Sequence, residues 1–192
     1  NGFYLTDREE VERIQGMRVT ANFFSLLKVG LLHGRNFAAE EDRRNSQPVT
    51  IISYEFWLSR FAGHVSALNQ QINLNGKPHT IVGILPRGFA FPLSVKGPLV
   101  WTTVTGEGGN LDERGAQVLQ AVGRLKSDAT LAAAESELNA IKRNLHGTYP
   151  AYKHTWGVAL QPTQEFLAQD SKPVLLLLLG AVVLVLLIAC AN

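Results

Sequence analysis

The five histidines, at positions 33, 64, 79, 146 and 154, are the side chains of this sequence best suited to hold a metal or move a proton near neutral pH. Their spacing serves neither purpose. No two stand as His-x-x-x-His, and none lies beside a glutamate in the order that a zinc hydrolase helix requires. His146 and His154 straddle a Gly-Pro loop and read as surface residues. Carboxylates adjoin at Glu9-Glu10, at Glu40-Glu41-Asp42 and at Glu135 with Glu137, in polar contexts where solvation would not raise a pKa for acid catalysis. Ser53 follows a strand without flanking glycines, so capping a helix explains it better than acting as a nucleophile. Gly106-Glu107-Gly108-Gly109 lacks the Gly-Lys-Ser/Thr that lets a phosphate loop converge on its ligand, and Gly76-Lys77 runs into Pro78 within a turn. The sequence thus offers no catalytic, cofactor-binding or metal-ligating residue, names no substrate-binding residue, and is not that of an enzyme.

The one cysteine, Cys190, lies in the most telling segment, Val174 to Ala191, which reads VLLLLLGAVVLVLLIACA without a charge. At 1.5 Å per residue such a helix covers about 27 Å, close to a bilayer core. A core helix of a small domain would keep a polar face, and this run has none. It is therefore expected to be a transmembrane helix, preceded by a domain of residues 1–172. A signal peptide is excluded by position, since it would stand at the N-terminus behind a basic leader. The sequence starts without Met and stops one residue past the apolar run, so it reads as an excerpt of a longer membrane protein. Its formal net charge of +2, with acids and bases interspersed, shows no basic stripe for nucleic acid.

The elements that must position these residues follow from period and punctuation. A strand is expected to end over Met17–Thr20, and a short helix over 22–29 presents Phe23, Leu26 and Leu27 before stopping at Gly30. Glu40–Asn45 reads as a polar loop. Val49–Ile52 reads as a strand, and Ser53 caps a helix to Phe61 with Phe56 and Trp57 as apolar positions and Gly63 as its end. A further short helix is expected over 66–69. Asn75-Gly76 between 71–74 and 79–84 marks a hairpin, with Pro78 either lengthening the turn or opening the strand. The stretch 85–97 is a crossing loop in which Phe89 and Phe91 either anchor or face a partner. Trp57 and Trp101 are expected in the core, the latter on a strand over 99–103. Residues 105–115 suit a mobile loop, and strands are expected over 117–125 and 156–161. The helix from Thr130 carries Leu131, Ala134, Leu138, Ile141 and Leu145 on one stripe and ends near Gly147. The class is α+β, with a mixed or antiparallel sheet and packed helices.

Six blocks in order resemble the MacB-like periplasmic core domain of FtsX-type ABC transporter permeases, and most nearly the duplicated permease group of acidobacteria. They are Val19 to Phe24 with Gly30, Gly34-Arg35 and Asp42; Val49 to Ser53 with Trp57 and Phe61; Ile72 to Gly76; Ile81 to Pro86 with Gly88-Phe89 and Pro92; Gly123-Arg124-Leu125-Lys126 with Thr130; and Leu186 to Asn192. Asn69, Ser127-Asp128 and Thr103 depart from the family pattern at turn and edge positions.

The resemblance implies that residues 1–172 lie in the periplasm at the bacterial inner (cytoplasmic) membrane, with about 49–115 as a second lobe and 173–192 as the start of a permease transmembrane helix. It implies as partners the lipid bilayer, a separate ABC ATPase subunit, a second permease copy or half, and a periplasmic partner, with no cofactor in the chain itself. The expected function is to couple periplasmic contacts to movement of that helix, in efflux or mechanotransmission. The alternative is a sensor or adhesion ectodomain on a single anchor.

Overall fold

A computed structural model of the chain describes residues 2–7, 10–91, 97–104, 120–148, 158–163, 165 and 172–191. The chain divides into two compact units, Asn1–Arg124 and Leu125–Asn192. The first holds strands β1 (Gly2–Asp7), β2 (Glu10–Val19), β3 (His33–Gly34), β4 (Val49–Ile52), β5 (Gln71–Leu74), β6 (Lys77–Ile84) and β7 (Val100–Thr103), with helices α1 (Phe23–Leu27) and α2 (Tyr54–Phe61). The second holds α3 (Leu131–Thr148) and α4 (Lys172–Ala191).

The strands lie in the order β3-β6-β4-β7-β2-β1-β5, and β5 pairs back onto β6. Six strands therefore close a hydrogen-bonded ring. β3 lies outside it, against residues 83 and 84 of β6, beyond the 77–80 stretch that pairs with β5. β2 with β7 and β4 with β6 are parallel, and the other pairs are antiparallel. This mixed sheet with packed helices is of the expected α+β class. The described strands between 49 and 103 share it with those of residues 2–19.

Both faces of the sheet are covered at β4, which explains why that strand is apolar or β-branched at every position. Ile52, Ile81, Ile84 and Val100 join Phe3, Leu5, Ile14 and Leu74 in one core with Phe56 and Trp57 of α2. Val49, Ile51, Val82 and Trp101 point the other way, into a second core with Phe23 and Phe24 of α1. The first core also explains Gly16. A methyl group there would collide with the Phe3 ring and Val100.

The strand β1 and the early part of β2 carry no clean alternation in sequence, because Tyr4 and Val11, on the outer face, are 55% and 65% exposed. Apolar residues on both faces blur the period of two. The hairpin is as expected, with Asn75 at φ 52° and Gly76 at φ 78° forming a two-residue turn that leaves Pro78 at the strand start. Asn75 also ties that turn to β1. Its Oδ1 accepts from the Tyr4 amide at 2.9 Å and its own amide donates to the Tyr4 carbonyl at 2.8 Å.

Ser53 caps α2 by accepting from the Phe56 amide at 3.0 Å. The helix ends through Ala62 at φ 50° together with Gly63, rather than through Gly63 alone. α1 ends earlier than Gly30, at left-handed Lys28, where the Val29 amide folds back on the Phe24 carbonyl. Phe24, not Leu26, joins Phe23 in the core. The acidic loop contains a 3-10 turn over Ala39–Asp42, and the short helix after α2 is a 3-10 turn over Val65–Ala67.

In the second unit Thr130 caps α3 by accepting from the Ala133 amide. The expected strands over 117–125 and 156–161 are absent from their described residues, 120–125 and 158–161, which run without regular structure. Their other residues, like the loop 105–115, lie outside the described residues. The apolar run is helical as α4, twenty residues long. Counted over the described residues, no helix is long and apolar enough to cross a membrane.

The 3-10 turn fastens three parts of the first unit. Asp42 Oδ2 accepts from the Ala21 amide at 3.0 Å, at the exit of β2. Glu41 accepts from Arg35 through both carboxylate oxygens, at 2.9 and 2.6 Å, and from the Ala38 amide at 2.7 Å. The Glu41 carbonyl accepts from Ser46 Oγ and from Thr103 Oγ1 at the end of β7. The hydrogen bond from Arg35 holds the Glu41 carboxyl below its ordinary range against the opposing effect of burial, with the Ala38 amide and the Arg35 charge adding to it. The same bond raises Arg35.

Two predictions follow from these contacts. Because the folded pKa of Glu41 is depressed, its contribution is present above the unfolded value of about 4.3 and is lost as pH falls through the folded value. Arg35 is half-exposed, so after solvent screening the wild type should lose about 0.5–1 kcal/mol more than E41Q between pH 7 and pH 3, read by urea unfolding. Thr102 Oγ1 is buried without a hydrogen-bond partner among the described residues, whereas its cross-strand neighbour Thr50 donates to the Trp101 carbonyl. Thr102→Val should therefore raise stability by about 1 kcal/mol, while Thr50→Val should lower it.

Candidate functional site

The side chains with chemical capacity are dispersed. His33 meets the Trp57 ring edge-on at 5.5 Å, and the His64 carbonyl accepts from Trp57 Nε1. His79 is buried on β6 with Nδ1 2.9 Å from the Lys77 carbonyl. The side chains of His146 and His154 lie outside the described residues, as does Gly106 to Gly109. Among the described residues no group of three or more His, Cys, Asp or Glu could hold a metal ion. Ser53 is occupied as a cap, and Gly76-Lys77 is the hairpin turn. Of the acidic clusters, Glu41 and Asp42 are engaged in fastening the fold, Glu10 is exposed, and Glu135 and Glu137 stand on α3.

What the fold does bring together is a network of rings. Phe91 meets Phe23 at 5.2 Å, Phe23 meets Phe24 at 5.3 Å, and Phe24 lies 5.8 Å from Phe89 and 6.1 Å from Trp101. Phe89 and Phe91 are thus anchors that hold the loop after β6 to the core, each ring contact contributing about 0.5–1.5 kcal/mol beyond area burial. Trp101 is fully buried and Trp57 nearly so, as expected.

Two further polar side chains act at longer range: Arg124, which the sequence offers only as part of a family block, and Asn139, which it does not single out. Arg124 donates from Nε at 3.0 Å and from Nη2 at 2.9 Å to the Leu26 carbonyl, near the C-terminal end of α1 where a cation is favoured. It binds the last residues of the first unit to that helix. In the second unit, the Asn139 carboxamide bonds both backbone groups of Val158 and the Glu135 carbonyl. An exposed arginine beside Gly123 and an asparagine flanking an apolar stripe carry no spacing signal, because their partners are 98 and 19 residues away. Much of the stripe itself is exposed. Leu138, Ile141 and Leu145 are 38%, 48% and 52% exposed.

No curated protein matches this sequence. Solved structures do resemble it, three of them as follows. The periplasmic region of MacB from Actinobacillus actinomycetemcomitans aligns with a TM-score of 0.51 at 14% identity, covering 77% of this chain and 64% of that one. A domain of a putative permease from Porphyromonas gingivalis gives 0.49 at 13%, covering 75% and 64%. The extracellular domain of the noncanonic ABC-type transporter YknZ from Gram-positive bacteria gives 0.42 at 18%, covering 54% and 50%. The chain thus spans one half to just under two thirds of the length of these solved domains, and at such identities the first likeness shows the fold alone. The family model described as MacB-like periplasmic core domain matches residues 2–141, well over half of the sequence. The chain belongs to the MacB-like periplasmic core domains, a family of ABC transporter permease domains and not of enzymes.

Proposed function

We propose that residues 1–172 stand in the periplasm at the bacterial inner membrane, that α4 begins a transmembrane helix of the permease, and that the domain couples periplasmic contacts to movement of that helix. The observation that carries this reading is the succession along one chain of a family match over residues 2–141 and, beginning at Lys172, a helix without a charge after its first residue. Leu177 and Leu186 are both exposed and, at about 100° per residue, project from opposite sides of that helix. Such a surface suits lipid rather than water.

ATP hydrolysis falls in this reading to a separate ABC ATPase, since the sequence holds no phosphate loop, and a second permease copy or half completes the assembly. Placement in the acidobacterial duplicated group rests on the six sequence blocks. Coupling requires a junction with little slack, and the reading places it at Ser171-Lys172-Pro173, whose last two residues already belong to α4. By linkage, whatever biases the domain biases the helix and the reverse. Inserting a flexible Gly/Ser segment of about ten residues between Ser171 and Lys172 should abolish efflux or other ATP-driven output of the complete permease in cells while leaving its expression unchanged. Full output with the insertion would sink the coupling role.

A further inference from the structure

We propose that Asn139 is the positioning residue through which α3 and the chain leading into α4 move together, an inference that rests on the coupling reading above. A carboxamide has the donor and acceptor of a peptide group, and here it pairs with one residue as a neighbouring strand would. Asn139 Nδ2 donates to the Val158 carbonyl at 2.9 Å, and the Val158 amide donates to Asn139 Oδ1 at 2.9 Å. A third bond, from Nδ2 to the Glu135 carbonyl at 2.9 Å one turn back on the same helix, fixes the side-chain rotamer.

Two bonds to both backbone groups of one residue set its orientation as well as its position, which a single hydrogen bond would not. The clamp is half-buried, so water competes with it only in part. Around it the held segment has no regular structure, since residues 158–162 form neither helix nor strand. The side chain therefore does what a sheet does elsewhere in the fold. Thirteen residues, 159–171, separate the clamped residue from Lys172 at the start of α4. A displacement of α4 that reaches Val158 is handed to α3 through this pair.

The test is amide hydrogen exchange on the complete permease with its ATPase in lipid nanodiscs, without nucleotide and with ATP plus vanadate. In the wild type, nucleotide should change exchange both in residues 158–163 and along α3. In N139A, exchange at the Val158 amide should quicken about tenfold, and the nucleotide response should persist at 158–163 but shrink at least about fivefold in α3. N139D keeps the acceptor for the Val158 amide and should retain its slow exchange, restoring part of the α3 response. S136A, at an exposed position of the same helix, should match the wild type in every readout. An α3 response in N139A equal to that of the wild type overturns the role of Asn139 while leaving the coupling reading intact. If no part of residues 125–192 responds to nucleotide in the wild type, the coupling reading falls and takes this inference with it.

Discussion

The double pairing of β5 is the constraint on which the first unit rests. This four-residue strand bonds to β1 on one side and to β6 on the other, and so turns an open row of strands into a ring. With the ring closed, Leu74 and Ile81 face Phe3 and Leu5 from the far end of the chain order, and the first core can be sealed by Phe56 and Trp57. Asn75 matters twice in this closure. It takes the left-handed conformation that the turn demands, and its side chain and amide bond the Tyr4 backbone beside the last rung between β1 and β5. A residue chosen for a turn is also the latch of the sheet.

The elements that could be read from the sequence were those whose signal is local. Val49–Ile52, the Ser53 cap, the Asn75-Gly76 hairpin and the start of a helix at Thr130 each depend on neighbours within a few residues, and each stands where expected. The departures have non-local causes. β1 is held by pairing with both β2 and β5, and Tyr4 on its outer side, like Val11 on that of β2, hides the alternation. Lys28 ends α1 in a left-handed conformation because the turn is closed by the Phe24 carbonyl, a demand that outweighed the nearby glycine. Residues 120–125 alternate like a strand, yet what fastens them is the Arg124 guanidinium on a distant carbonyl. The same holds for Val158, whose partner is a side chain and not a strand.

The functional residues followed a similar division. Dispersed histidines and solvated carboxylates argued against catalysis, and the structure shows where several of those candidates went: Glu41 and Asp42 fasten the exit of β2 and the end of β7, and Ser53 caps a helix. Nothing in residue type or spacing distinguishes an acid that staples a loop from one in open solvent until Arg35 is seen across it. If the domain transmits displacement, as proposed, it has no need of a reactive centre. Its working residues are those that keep separate pieces of chain in register, and these look ordinary in sequence.

Ring closure also limits how other molecules can engage this unit. A sheet with free margins can accept an extended peptide as an extra strand, or join its own copies edge to edge. Here β3, the one strand outside the ring, is two residues long, and the stretch of β2 beyond its pairing with β7 carries exposed Glu10, Glu12 and Arg13. Neither margin offers the long, flat, uncharged run that strand addition needs. Among the described strands, whatever meets this unit must therefore recognise side-chain surface or loops, and partly folded chains gain no template from them.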